Sequence, residues 1–236
     1  MKIYSNTHDA KLVITPHYHG GGHTALRKLL WVYWRRGVAK LLSLADTVHV
    51  VSKREASLIT THYPHASEKI VVIPNGVEEG VLNYKWQGQN SDYMIYAGRI
   101  EKYKRLEIAV DIAKRMRLKL LIVGRGPYRE KLMKYANEVY RRGVKFLEPQ
   151  PREKYLELLS KAIYAVNPSR HEAFSIFTAE ALAIGTPAIV SKEIAENLET
   201  EAKSFSRNLV IAKKASIRTW SEVVELYLKS LYYMES

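Results

Sequence analysis

KAIYAVNPSRHEAFSIFTAEALAIGTPAIVS, residues 161–191, sets one helix-forming segment between two short apolar runs. The first run, KAIYAVN, closes at Pro168 and Ser169, as a buried strand does. Ala179, Ala181, Leu182 and Ala183 are strong helix formers, and the spacing predicts a helix over about 174–184, with Gly185 on its carboxyl side and Pro187 barring its continuation. PAIVS is the next strand. The segment therefore reads strand, loop, helix, strand, and it carries two carboxylates, Glu172 in the loop and Glu180 in the helix, eight positions apart. On a helix that spacing is roughly 80° in azimuth and about 12 Å along the axis, so two such groups do not share a proton. It also exceeds the roughly 5 to 9.5 Å of a glycosidase pair. They can hold two ends of one extended ligand. Glu172 then lies at the carboxyl end of a strand, where open α/β sheets bind ligands, and Glu180 sits among apolar neighbours that give it reason to have a partner.

The alternation extends through the second half of the chain. Strands are expected at 92–97, 119–123, 144–147, 163–167, 188–191 and 208–211, with helices near 105–116, 128–141, 152–161, 174–184, 193–203 and 217–233. Strands separated by helices of this length predict an α/β, Rossmann-like parallel sheet. The first half offers three strands, in KLVITPHYH, DTVHVVS and KIVVIPNGV, and two helices. Three parallel strands leave thin cover and unprotected edges, so this half reads as a partial domain that a partner copy could cover. Residues 78–91 are polar and turn-rich, which divides the chain into 1–77, a linker at 78–91, and 92–236.

Composition narrows the partners. A formal net charge of +13, from 37 Lys and Arg against 24 Asp and Glu, favours an anionic ligand or surface. There are no cysteines, which excludes disulfides and thiolate chemistry, and no two of the four Asp are two positions apart, so an Asp-x-Asp metal pair is absent. No signal-peptide or membrane-spanning run is visible, and the expected location is cytoplasmic. RKLLWVYWRRGVAK, residues 27–40, mixes Trp31, Tyr33 and Trp34 with five cations. That pattern admits a peripheral contact with the inner membrane surface, single-stranded nucleic acid, or a core helix whose cations snorkel. No recognised nucleic-acid motif accompanies the charge.

Two loops carry candidate phosphate chemistry. After DYMIYA comes GRIEKYKR, with Gly98, Arg99, Lys102, Lys104 and Arg105 between a strand and a helix, where amides and cations converge on an anion. VGRGP repeats the arrangement with Gly124 and Gly126, a weaker signal whose bland reading is a turn.

Taken together, VIPNGV (72–77), YAGRIEKYKRLEIAVDIA (96–113), LLIVGRGP (120–127) and residues 167–191 resemble, in order and spacing, the family 4 (group 1) retaining glycosyltransferases of GT-B fold. The resemblance implies that 92–236 is the nucleotide-sugar (donor) domain and 1–77 part of the acceptor-side domain. It implies that Arg99 and Lys104 bind the donor diphosphate, that Glu172 lies beside the transferred sugar, and that Glu180 accepts from the ribose hydroxyls. The loop of Ala173, Phe174, Ser175 and Ile176, with Gly98 and Gly124, would cradle sugar and phosphate without a metal or other cofactor. His17, in TPHYHG with His19, resembles the family's cleft histidine. The acceptor implied is a carbohydrate or lipid-linked hydroxyl. The chain departs from the family at Glu172-Ala173-Phe174-Ser175, where Glu-Gly-Phe-Gly is common, at KEIAENLETEAKSF after Ser191, and in a first domain about half the usual length. The last departure keeps open a donor-binding module that needs a partner for the acceptor half.

Overall fold

The protein is described by a computed structural model covering residues 11–18, 20, 25–170, 172–206 and 208–232. The described residues up to Pro74, together with those from Val223 on, form one compact unit, and Asn75–Glu222 form a second.

The first unit contains β1 (Val13–Ile14), α1 (Ala25–Leu44), β2 (Thr47–Val50), α2 (Lys53–His62) and β3 (Ile70–Val72). The strands pair in parallel in the order β1-β2-β3. Val48, Val50, Ile59, Leu42, Ala66 and Tyr63 build its core. Ser52 caps α2 by accepting from the Glu55 amide. Buried Glu55 reaches back to accept from the amides of Val51 (2.9 Å) and Tyr18. The arrangement is a variant of the capping box, in which the glutamate accepts from the residue before the cap and also anchors the loop after β1. In α1, Leu42 is buried, while Tyr33 and Trp34 are 76% and 64% exposed. Those two aromatic rings face solvent, against the reading of a core helix; the side chain of Trp31 lies outside the described residues.

The second unit is a seven-stranded sheet in the order β6-β5-β4-β7-β8-β10-β9. Its strands are β4 (Tyr93–Ala97), β5 (Lys119–Val123), β6 (Val144–Leu147), β7 (Tyr164–Asn167), β8 (Ala188–Ser191), β9 (Glu201–Ser206) and β10 (Leu209–Lys214). The helices are α3 (Leu106–Met116), α4 (Arg129–Tyr140), α5 (Arg152–Ser160), α6 (Ile176–Ile184), α7 (Lys192–Asn197) and α8 (Trp220–Tyr232), the last of which passes into the first unit at Val223. Alternation along the buried strands serves two cores. Met94, Tyr96, Leu120, Ile122, Val166 and Ile189 face α3 and α4, whereas Ile95, Val123, Ala165, Ala188 and Val190 face α5, α6 and α7.

Strands 119–123, 144–147 and 188–191 fall where the sequence places them. The expected helix at 193–203 does not. α7 stops at Asn197, Glu199 turns the chain with φ 48°, and 201–206 runs as edge strand β9, antiparallel to β10, which is itself antiparallel to β8. Glu, Ala and Lys are good helix formers, but here the pairing with β10 decides. Residues 78–91, expected as a linker, pack on the second unit. The Trp86 amide donates to the Ile184 carbonyl (3.0 Å), its indole N–H to the Ala162 carbonyl (2.9 Å), and the Gln87 amide to the Ser160 carbonyl (2.8 Å).

Candidate functional site

The strand order reverses beside β4: β5 and β6 lie on one side, β7 and β8 on the other. The crevice outside the carboxyl ends of β4 and β7 is the switch point at which such sheets take ligands. Each flanking strand delivers one of the expected loops to it.

From β4 the chain turns at Gly98 (φ 146°), and Arg105 (φ 55°) ends the loop before α3. A Cβ on Gly124 (φ 140°) would collide with the Gly98 carbonyl, because the loops after β4 and β5 stay laddered beyond their strands. The Gly98 amide donates to the Val123 carbonyl (3.0 Å) and the Ile100 amide to the Arg125 carbonyl (2.8 Å). The Tyr96 hydroxyl fixes the turn by donating to the Arg99 carbonyl (2.9 Å). Burial, and then the negative charge of Glu172, push that phenol far above its ordinary value, so it stays a donor. The Arg99 guanidinium is 79% exposed and pairs with Glu101 at 2.5 Å.

From β7, buried Asn167 organises the loop that follows. Its carboxamide oxygen accepts from the Ser169 hydroxyl (2.7 Å) and amide (3.3 Å), and its NH₂ donates to Ser175 Oγ (2.9 Å). Ser175 in turn caps α6, its hydroxyl oxygen accepting from the Thr178 amide. Ala173 is buried, Phe174 packs on the core, and Ile176 opens the helix. Glu172 is held on every side. Its carboxylate takes Lys104 Nζ and the Ser169 hydroxyl, both at 2.5 Å. Its amide donates to Glu193 (3.1 Å), and its carbonyl accepts from Asn197 (2.7 Å). Glu193 and Asn197 are one turn apart on α7, in the segment that departs from the family pattern. Lys104 and Glu172 are only 13% and 12% exposed, so this is a largely desolvated pair whose members depend on one another.

Beside this pair lies a cleft of about 450 Å³, lined by the loop residues Gly98, Arg99, Gly124 and Arg125, by Pro149 and Gln150 after β6, and by Tyr155, Phe177 and Glu180. Its size and its few convergent polar groups suit a small-molecule ligand. Glu180 is 7% exposed and lies 2.6 Å from the Arg152 guanidinium, and it accepts from the Tyr155 hydroxyl at 2.6 Å. One wall thus presents the cations Arg99 and Arg125, another a single carboxylate.

The structure therefore brings Arg99, Gly98, Gly124 and Glu180 to one cleft and joins Lys104 to Glu172 at the switch point. His17 belongs to the first unit, exposed, with φ 46°; His19 lies outside the described residues. Sequence reasoning missed Arg125, Arg152, Tyr155, Glu193 and Asn197. Arg152 did leave a signal, since a cation in the first turn of a helix opposes the macrodipole and calls for a carboxylate nearby. Among the described residues no cluster of three or more His, Asp or Glu is arranged to hold a metal ion.

Residues 85–231 match the family described as Glycosyl transferases group 1, and residues 2–80 match Glycosyltransferase Family 4. The chain is 26% identical over 210 residues to a D-inositol 3-phosphate glycosyltransferase of Jonesia denitrificans, covering 78% of this chain and 49% of that protein. Over 141 residues it is 29% identical to a GDP-mannose-dependent alpha-(1-6)-phosphatidylinositol dimannoside mannosyltransferase of Mycobacterium tuberculosis, covering 57% and 36%. The chain thus spans half or less of the length of these relatives. Among solved structures it resembles Anabaena HepE in complex with UDP-glucose, with a TM-score of 0.68, 16% identity, and 95% of this chain aligned to 64% of that one. At that identity the likeness is one of fold, GT-B.

Proposed function

The chain belongs to the group 1 glycosyl transferases, and from that membership we propose that it binds a nucleotide-diphosphate sugar along the carboxyl edge of β4–β7 and passes the sugar to an acceptor hydroxyl with retention of configuration. The observation that carries this reading is the Lys104–Glu172 pair at the switch point, beside a cleft with Arg99 at one wall and Glu180 at another. Glu180 takes the ribose hydroxyls. Arg99 and Lys104 take the diphosphate, helped by the amino end of α6. The Arg99–Glu101 pair is a solvent-exposed one, of a kind worth little, so exchanging it for a diphosphate costs little. Glu172 holds Lys104 in place, and lies beside the transferred sugar.

In the transfer, the bond from the sugar's anomeric carbon to the phosphate oxygen breaks as the acceptor oxygen bonds the same face of that carbon. The hydroxyl proton passes to the departing phosphate, and Arg99 and Lys104 stabilise the charge that develops there. The two cations and the helix dipole do this without a metal. The acceptor proposed is a carbohydrate or a lipid-linked hydroxyl, in keeping with the inositol lipid in one relative's name. The location proposed is the cytoplasm at the inner membrane surface, with the exposed Tyr33 and Trp34 of α1 turned to lipid; no helix among the described residues is long and apolar enough to cross a membrane. The three-stranded sheet formed by the described residues of the first unit favours a second reading, a donor-binding module whose acceptor half comes from a partner.

Calorimetric titration with UDP, GDP, UDP-glucose and GDP-mannose, with and without chelator, tests the donor site. At least one nucleotide should bind in chelator, and Arg99→Ala should weaken it about tenfold or more, the worth of a charged hydrogen bond. Failure of all four to bind would refute the assignment. Transfer to a membrane extract, with the product anomer read by NMR, separates the enzyme from the binding module.

A further inference from the structure

Both oxygens of Glu180 are held by a single neighbouring helix. Arg152 and Tyr155, three residues apart on one face of α5, reach it together. Arg152 Nη2 lies 2.6 Å from Oε1, and the Tyr155 hydroxyl donates to Oε2 at 2.6 Å. The remaining edge of the guanidinium donates from Nε to Glu78 at 3.0 Å, and its plane stands over the Tyr155 ring at 5.5 Å. A carboxylate offers about four acceptor positions. α5 sets a cation against one oxygen and a donating hydroxyl against the other, and acceptor capacity remains on a group that lines the cleft. Two parallel acceptors match the two hydroxyls of a cis-diol. Left alone, the terminal torsion of a glutamate is broad, and the pair of acceptors would not hold one plane.

We propose that Arg152 and Tyr155 are positioning residues that fix the carboxylate plane of Glu180 and thereby make the site read the 2′,3′-diol of a ribonucleotide against its deoxy counterparts. This rests on the reading that a nucleotide occupies the cleft. Burial and the charge of Glu180 push the Tyr155 phenol well above its ordinary value, so it remains a donor. Burial alone would lower Arg152, but the hydrogen bond and charge of Glu180 outweigh it and keep the guanidinium a cation. The other charged groups at this cleft, Arg99 and Arg125, stand on the loops after β4 and β5, and Glu78 meets only the outer edge of Arg152. Among the described residues, the side chains that hold the carboxylate both come from α5.

The test is titration of the whole chain with UDP and GDP and with their 2′-deoxy and 3′-deoxy forms, in wild type, Arg152→Met, Arg152→Lys and Tyr155→Phe. Arg152 is 38% exposed, and both Met and Phe keep the apolar part of the side chain, so the fold is spared. Wild type should prefer the ribonucleotide about tenfold or more, as a charged hydrogen bond is worth. Arg152→Met and Tyr155→Phe should each bring that ratio toward one, with Arg152→Lys between. Variants that weaken ribo and deoxy forms alike, keeping the ratio, would show a merely structural role and overturn the proposal. Wild type that binds nucleotides without any preference would overturn it while leaving the donor site standing. Wild type that binds none of them would remove the donor site, and this proposal with it.

Discussion

The two compact units reach stability by different means. The second sandwiches a seven-stranded sheet between two apolar cores, and of its buried polar residues Asn167, Ser169, Ser175, Glu180 and Asn197 stand at the ligand edge. The first has a three-stranded sheet with one apolar cluster, and buried polar side chains lie within its frame. Glu55 ties β1's loop to α2. His49, 3% exposed, ties four segments: its Nε2 meets the Ile73 carbonyl at 2.7 Å, and its Nδ1 meets the hydroxyls of Thr15 (2.9 Å) and of Tyr227 on α8. A carbonyl only accepts, so Nε2 carries a proton, and in the neutral ring the single lone pair of Nδ1 faces the two hydroxyls. Apolar burial is non-directional and indifferent to pH; these polar ties are neither.

Core truncation is the strongest way to break that contrast. Ile122→Ala, at a fully buried position of β5, should cost about 2–5 kcal/mol, read by denaturant unfolding. The loss should appear as faster amide exchange in the second unit; equal loss in β2 would mean that the units share one source of stability. Next in size, Glu55→Gln turns one of two accepting oxygens into a donor facing a backbone amide, for about 1–3 kcal/mol. Exchange should rise at Tyr18 and Val51 and leave β5 unchanged.

The smallest effect is that of acid. Burial, and after it the charge of His17, hold His49 below its ordinary value. The unfolded chain therefore binds this proton more readily, and stability is lost as pH falls below about 6.5. Burial raises Glu55, whose contribution has the opposite sign: stability is lost as pH rises through the folded value. Glu55 is common to wild type and to His49→Gln, so it cancels in their difference. Wild type should lose first-unit protection between about pH 6.5 and 5 relative to that variant; parallel curves would exclude the histidine.

Much of the second unit was legible because parallel strands buried on both faces read as unbroken apolar runs, as in KLLIV and AIVS. β9 was not, since AKS within it is largely exposed and its pairing with β10 is invisible to local propensity. At the site, Arg99, Lys104, Glu172 and Glu180 stand on loops and helices whose order the sequence displays. That Lys104 and Glu172 bind one another was hidden, because their 68-residue separation closes only when β4 and β7 become neighbours. Arg152, Tyr155, Glu193 and Asn197 act on those residues from other elements, and no spacing rule connects them.

α8 starts in the second unit and ends in the first. The bond from Tyr227 to His49 therefore closes across 178 positions, and at roughly 5 to 20 residues per second the ribosome takes about 10 to 35 s to bridge them. The whole of the second unit is therefore synthesised between the two parts of the first, and His49 meets Tyr227 only after it.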